Sequence, residues 1–98
     1  MIIIFKNTLL AKCYLEHKKA VKKWGMEIAR KYIRRVNILK AVRHIDELRA
    51  LPELDYHLLK GDRKGQHVVK LSKGMRLIFT VRDENTVVIE EVSKHYEG

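Results

Sequence analysis

The segment from His57 to Gly65 carries the residue types that bind a phosphate group and move protons beside it. His57 and Lys60 stand three residues apart, and two glycines and two further cations, Arg63 and Lys64, follow. Glycines let backbone amides approach a phosphate closely, and arginine and lysine supply the opposing charge. A hairpin loop that is basic for no functional reason is the alternative interpretation, and spacing alone does not separate the two. No GxxxxGK[ST] phosphate-binding loop is present.

Arg76 occupies the polar side of an alternating strand. Met75, Leu77 and Phe79 share one face of that strand and are expected to face helices, so Arg76 points to the opposite, concave side. A lone arginine there is commonly only a solvated side chain. Its interest is that the predicted strand order places it two strands from His57.

A second group of chemically capable side chains, Lys94, His95 and Tyr96, lies close to the C-terminal end of the sequence. A histidine, a tyrosine and a lysine can share the general-acid, general-base and charge-stabilising roles of phosphodiester cleavage without a metal. A solvated polar tail is the simpler alternative.

The net charge of the 98-residue chain is +9, and it is unevenly distributed. Residues 1–49 hold 13 Lys and Arg against 4 Asp and Glu, whereas residues 50–98 hold 8 of each. From His17 to Arg43 there are ten cations and one acid, Glu27. A solvated helix normally mixes signs, so this surface, with Arg34 and Arg35 as candidates, is expected to contact nucleic-acid phosphates or an acidic partner.

Composition argues against several other classes of protein. Five histidines without HExxH or CxxC spacing predict no metal site, and no cofactor motif is present. A single cysteine, Cys13, cannot form an internal disulfide and indicates a reducing compartment. The longest apolar run, Met1–Phe5, is too short for a membrane span or a signal sequence, so we expect a cytoplasmic protein with no membrane partner.

Periodicity predicts one α+β domain over residues 1–98, in the order β-α-α-β-β-β-β. Met1–Phe5 is expected to be a strand buried on both faces. Apolar residues at three- and four-residue spacing predict one helix from Thr8 to Gly25 and a second from Ile28 to about Leu48. Four strands follow, predicted at Asp55–Lys60, Gln66–Ser72, Met75–Arg82 and Val87–Ser93. We expect a helical hairpin packed on one face of a small, mainly antiparallel sheet.

Taken together, these segments resemble the RelE/ParE toxin superfamily, and within it the HigB-like branch of plasmid-maintenance killer proteins. The specific part is HLLKGDRKGQ from His57 to Gln66. It is accompanied by AVKKWG at 20–25, Leu51-Pro52, MRLIF at 75–79 and VIEEV at 88–92. The similarity runs in order along nearly the whole chain.

That resemblance implies the toxin of a type II toxin–antitoxin module. Such a toxin enters the ribosome, cuts mRNA without metal and is held inactive by an antitoxin, here expected to be a helix-turn-helix, HigA-like protein. The ribose 2′-hydroxyl attacks the adjacent phosphate. Matching motif positions imply His57 and Lys60 as active-site residues and Arg76 as the phosphate-stabilising one. We further expect His95 and Tyr96 to complete the site. Arg63 and Lys64 would bind the RNA backbone.

The C-terminal motif departs from the branch pattern. The branch typically closes with Asp-Tyr-His, where this chain has Lys94-His95-Tyr96. Two alternatives to the nuclease therefore stay open. One is poisoning of DNA gyrase, as on the ParE side of the superfamily, and the other is a small RNA- or protein-binding module without catalysis.

Overall fold

A computed structural model describes residues 1–94 of the chain. Its helices and strands follow in the order β1 (Ile2–Phe5), α1 (Thr8–Leu15), α2 (His17–Trp24), α3 (Met26–Ala41), β2 (His57–Leu58), β3 (His67–Ser72), β4 (Met75–Asp83) and β5 (Thr86–Lys94). Short 3₁₀ turns cover Ile45–Ala50, Pro52–Leu54 and Gly61–Arg63. Over these residues the predicted class is confirmed: helices pack on a mainly antiparallel sheet.

The sheet has the strand order β1-β5-β4-β3-β2. β1 runs parallel to β5, and each remaining pair of neighbours is antiparallel. β1 therefore lies at an edge, with Ile2 60% exposed. The expectation that both of its faces are buried is wrong, because a β-branched apolar run reports strand propensity but not position in a sheet.

The core lies between the helices and one face of the sheet. Alternate residues of the three long strands point into it, namely Val69, Leu71, Leu77, Phe79, Val87 and Ile89. The helices contribute residues that include Cys13, Ala20, Ala29, Tyr32, Val36 and Leu39. The hydroxyl of Tyr32 donates to the carbonyl oxygen of Leu10 at 2.7 Å, which joins α3 to α1 inside this core. The opposite face of the sheet is thereby left for other contacts.

The predicted first helix is divided at Glu16. This residue has extended backbone angles, its N–H closes α1 on the Lys12 carbonyl, and its own carbonyl accepts from Lys19 as α2 begins. The division keeps both Cys13 and Ala20 fully buried. No glycine or proline stands there, and the apolar spacing continues across it, so periodicity does not reveal the break.

The predicted second helix is shorter than expected because a side chain intervenes at its end. The carboxylate of Glu47 accepts hydrogen bonds from the backbone N–H groups of Arg43 and His44, at 2.7 and 2.8 Å. This capping box starts the 3₁₀ turn Ile45–Ala50 and lets the chain leave α3 at Val42. The two backbone hydrogen bonds also lower the pKa of Glu47.

The predicted strand Asp55–Lys60 is reduced to His57–Leu58. On one side, Asp55 has left-handed backbone angles and ends the turn Pro52–Leu54. On the other side, Lys60 precedes the turn Gly61–Arg63. Since both flanks turn, only two residues remain to pair with β3, at Val68 and His67.

His67 begins β3 on the core side of the sheet. Its ring stacks on Phe79, with centroids 5.1 Å apart, and its Nδ1 is hydrogen-bonded to the hydroxyl of Tyr56 at 2.8 Å. Burial disfavours the charged imidazole and lowers the pKa of His67. The uncharged form of the His67 ring is therefore the form that packs in the folded chain.

We expect Gly25→Ala to destabilise the fold by about 1–3 kcal/mol. Gly25 links α2 to α3 at φ 86° and ψ 166°, a conformation that side chains disfavour, although an added Cβ would meet no atom within 4 Å. Gly74→Ala is the matched control, because it also has open space and lacks a positive φ. Urea unfolding of both variants checks this, and equal losses of stability would contradict it.

We expect the burial of His67 to lower the free energy of unfolding in mild acid. Because its pKa is lower in the folded chain than in the unfolded chain, its contribution is fully present above the unfolded value and is lost as pH falls through the folded value. The free energy of unfolding of His67→Gln should therefore decline less steeply below about pH 6.5 than that of the wild type. Parallel pH curves for the two proteins would contradict the assignment.

Candidate functional site

One row of side chains crosses the sheet on the face away from the helices. The strand register places His57 opposite Val68, Val68 opposite Ile78, and Ile78 opposite Glu91. Residues paired across neighbouring strands point to the same side of a sheet. His57 at the β2 edge and Glu91 on β5 therefore share a face with two buried apolar residues between them.

A second row lies two residues further along the strands. Lys70 of β3 pairs with Arg76 of β4, and Arg76 pairs with Ser93 of β5. The Nε of Arg76 donates to the hydroxyl of Ser93 at 3.3 Å. The spacing of the strands and the rise per residue place the Cα atoms of His57 and Arg76 about 12 Å apart. Because an arginine side chain is long, its guanidinium can approach the imidazole closely enough for both groups to contact one phosphodiester.

The two rows border a cleft of about 440 Å³. Three cations and one acid are among its lining residues, which are Asp55, His57, Val68, Lys70, Ser72, Lys73, Met75 and Arg76. The sequence-predicted residues His57 and Arg76 thus line a common cavity. The cleft is open to solvent on one side and combines an imidazole with a concentration of positive charge.

Lys70 and Arg76 place two positive charges at directly opposed positions of neighbouring strands. Like charges on directly opposed residues of neighbouring strands repel each other. Neither Lys70 nor Lys73 forms an ion pair with any residue of the described range 1–94. Lys70, Lys73 and Arg76 therefore give the cleft an excess of positive charge, which suits an anion.

His57 is exposed and is oriented by its own backbone. Its Nδ1 lies 2.9 Å from the carbonyl oxygen of Asp55. A carbonyl can only accept, so Nδ1 carries a proton and Nε2 is left for other partners. The imidazole can therefore exchange a proton with a group bound in the cleft.

The basic loop after β2 folds back across the sheet. Arg63 forms an ion pair with Glu91 of β5, although β3 and β4 lie between their strands. The loop therefore passes over Val68 and Ile78, which are 2% and 0% exposed and lie outside the helix-side core. Of the two predicted RNA-binding residues in this loop, Arg63 is thus engaged within the chain, whereas Lys64 is exposed.

The remaining predicted cations lie outside the cleft. Lys60 is exposed at the start of the turn Gly61–Arg63 and is not among the lining residues. Arg34 is exposed on α3. Arg35 is half-buried, and its Nε donates to the carbonyl oxygen of Lys70 at 3.0 Å. Burial also lowers the pKa of Arg35. Arg35 therefore secures β3 against α3 at the residue whose side chain enters the site.

The predicted C-terminal pair, His95 and Tyr96, lies outside the described residues. The last described residue, Lys94, ends β5 opposite Met75, one of the residues that line the cleft. The roles suggested for His95 and Tyr96 stay predictions.

Lys70 and Lys73 are candidate site residues that sequence reasoning missed. The available signal was the pattern VVKLS at 68–72, in which Lys70 shares a strand face with Val68. Because the register between β3 and β4 was unknown, nothing singled out Lys70 as the partner of Arg76. Lys73 lies in the tight turn after β3, where a lysine is common for solubility alone.

Two further properties concern the described residues 1–94. None of their helices combines the length and apolar character needed to span a bilayer. Within the same range, no three His, Cys, Asp or Glu side chains gather in a group that could hold a metal ion.

Several solved structures share this fold. YafQ from Escherichia coli is 14% identical, with a TM-score of 0.63 over 95% of this chain and 91% of that one. In the YoeB–YefM complex from Staphylococcus aureus, the matching chain is 21% identical, with a TM-score of 0.61 and 98% of each chain covered. A YoeB/ParE toxin from Agrobacterium tumefaciens is 14% identical, with a TM-score of 0.59 over 98% and 100%. These identities establish similarity of fold.

Sequence comparison identifies the family. No curated protein sequence matches the chain, but a family model does. It describes the RelE-like toxin HigB of type II toxin–antitoxin systems and matches residues 3–95, which include every helix and strand described above except the first residue of β1, Ile2. The chain therefore belongs to the HigB-like toxins, a RelE-like family of type II toxin–antitoxin systems.

Proposed function

We propose that this toxin is an endoribonuclease that cuts mRNA on the ribosome and so inhibits translation. In this proposal residues 1–98 act as one toxin domain in the cytoplasm, without a metal or other cofactor. Family membership supports the toxin part of the proposal. The cleft beside His57 supports the nuclease part, since it combines a proton-transfer group with cations suited to a phosphodiester.

The observation that carries the proposal is the pairing of Lys70 with Arg76. A unit charge about 4 Å from another is worth about 1 kcal/mol in water and about 4 kcal/mol at a protein surface. A phosphate placed between Lys70 and Arg76 gains two such attractions. The pair is therefore suited to binding an anion.

The proposed reaction is an internal transesterification of RNA. The 2′-hydroxyl of one ribose loses its proton and attacks the adjacent phosphorus, and the P–O bond to the 5′-oxygen of the next nucleotide breaks. His57 is positioned to take the first proton. Lys70 and Arg76 stabilise the charge that builds on the non-bridging oxygens. His95 or Tyr96 protonates the leaving 5′-oxygen, giving a 2′,3′-cyclic phosphate and a 5′-hydroxyl.

The other cations are proposed to bind RNA away from the reacting phosphate. Lys60 and Lys64 flank the turn that follows β2, and Arg34 lies on the exposed side of α3. Arg63 would join them only by exchanging Glu91 for a phosphate, while Arg35 acts through its bond to β3. Lys60, Lys64 and Arg34 bind backbone phosphates in this proposal, so their contribution should fall as salt concentration rises.

A cognate antitoxin is the proposed protein partner. Membership of a type II toxin family supports a partner of this kind, and the solved YoeB–YefM complex provides a structure of a similarly folded chain with its partner. We further propose that the partner is a helix-turn-helix, HigA-like protein. A gene for such a protein next to that for the toxin, and copurification of the two products, would test this identification.

We expect replacement of the paired cations to lower mRNA cleavage by about 10²–10³-fold for each of Lys70→Ala and Arg76→Ala. His57→Ala should lower it by about 10²–10⁴-fold. Arg82→Ala is the matched control, because it removes the same charge from the same strand about 20 Å away. Primer extension on a translated reporter mRNA with purified ribosomes measures all four variants.

Cleavage by the first three variants at the rate of Arg82→Ala would contradict the site. Intact mRNA with ongoing translation, accompanied by DNA-damage signalling, would contradict the nuclease itself and favour gyrase as the target. RNA affinity without any cut product would favour a binding module.

Lys60 and Lys70 provide a direct comparison between the resemblance and the cleft. Lys70 lines the cavity and Lys60 does not. We therefore expect Lys60→Ala to reduce single-turnover cleavage at saturating ribosomes by less than tenfold, well short of the loss in Lys70→Ala. A larger loss of cleavage in Lys60→Ala than in Lys70→Ala would contradict this expectation and assign the charge-stabilising role to Lys60.

A further inference from the structure

Asp55 has an unusual backbone conformation immediately before the proposed site. Among the described residues it is the one non-glycine with a positive φ, at φ 44° and ψ 47°. Left-handed angles cost an L-residue roughly 1–2 kcal/mol, and aspartate and asparagine tolerate them better than most. The turn ends the 3₁₀ segment Pro52–Leu54 and directs the Asp55 carbonyl oxygen towards His57.

That carbonyl selects one tautomer of the neutral imidazole. Because it can only accept, the 2.9 Å contact requires a hydrogen on Nδ1 of His57. The lone pair is then on Nε2, the nitrogen that is free to take a proton from a bound hydroxyl group. A free neutral histidine in water favours the other tautomer, with its hydrogen on Nε2. The hydrogen bond to Asp55 thus changes which nitrogen can act as a base.

Tyr56 fixes the turn from the other side of the sheet. Its hydroxyl is hydrogen-bonded to Nδ1 of His67 at 2.8 Å, and its ring stacks on that histidine with centroids 5.8 Å apart. Phe79 continues the stack, and the guanidinium of Arg49 lies 5.0 Å from the centroid of the Tyr56 ring. Tyr56 is therefore held by three neighbours, and the residues on either side of it are held with it.

We propose that Asp55 and Tyr56 are positioning residues, which hold His57 as the Nδ1–H tautomer and present Nε2 to the cleft as the proton-accepting atom. The catalytic consequence rests on the proposed nuclease function, whereas the tautomer itself is a property of the folded toxin. Asp55 acts here through its backbone, although its side chain also lines the cleft. The two contributions can be separated by choosing substitutions that keep or lose the left-handed turn.

Imidazole ¹⁵N chemical shifts test the proposal directly. In the purified wild type at a pH where His57 is neutral, Nε2 should show the shift of an unprotonated nitrogen and Nδ1 that of a protonated one. Asp55→Asn should keep this pattern because asparagine accepts the turn. Asp55→Val should lose it, since a β-branched residue disfavours these angles. Nδ1 bearing no hydrogen in the wild type, or an unchanged pattern in Asp55→Val, would overturn the proposal.

Cleavage by the same variants separates the backbone from the carboxylate. We expect Asp55→Asn to cut within about threefold of the wild type and Asp55→Val to lose up to about 10²-fold, the cost of misplacing a reacting group. Equal losses in both would assign the effect to the carboxylate and overturn the backbone role. If Asp55→Val fails to fold, Tyr56→Phe replaces it as the disruptive variant, because phenylalanine keeps the aromatic ring and loses only the hydroxyl. Asp55→Gly then serves as the tolerant variant, since glycine accepts the left-handed turn and lacks the carboxylate.

Tyr56→Phe isolates the hydroxyl that reaches His67. Its matched control is Tyr14→Phe, since the Tyr14 hydroxyl is bonded to Asn37 on the helices, remote from the cleft. Loss of the His57 tautomer preference in Tyr56→Phe alone supports the proposal, and the same change in both variants overturns it. A wild type with the expected tautomer but no cleavage would leave the positioning role standing and refute the nuclease. Cleavage without that tautomer would refute only the positioning role.

Discussion

Two cations are paired on neighbouring strands and point to the same face of the sheet, and the surrounding structure keeps them in place. Lys70 and Arg76 are paired by the register of β3 and β4, so neither can leave its neighbour without breaking the hydrogen-bonded ladder. An apolar or oppositely charged pair would stabilise the sheet better at this position.

Each part of the scaffold acts on that pair or on the imidazole beside it. Arg35 of α3 bonds to the backbone of Lys70, which connects the helical layer to the position of one cation. Ser93 of β5 accepts from Arg76, the other cation. On the β2 side, the left-handed Asp55 and the stacked Tyr56 determine where His57 points. Helices, sheet and turn thus meet at the cleft that is proposed to bind an anion.

Much of the fold could be predicted because it depends on local patterns. Alternation identified β4 with Leu77 and Phe79 inward, and the helical spacing identified the buried face of α3. The break at Glu16, the end of α3 and the two-residue β2 were missed, because each depends on a particular hydrogen bond or backbone angle. His57 and Arg76, which were predicted from the sequence, both line the cleft, but the placement of their neighbour Lys70 required the register. His95 and Tyr96 lie outside the described residues and stay predictions.

The chemical ends of the cut RNA test the central claim most directly. An mRNA cleaved by the purified toxin on translating ribosomes can be examined for the groups left on either side of the break. Attack by the 2′-hydroxyl in a cleft of imidazole and cations leaves a 2′,3′-cyclic phosphate, or the 3′-phosphate derived from it, and a 5′-hydroxyl. We expect those ends. A 5′-phosphate on the downstream fragment, the product of attack by water with the opposite leaving group, would contradict the claim.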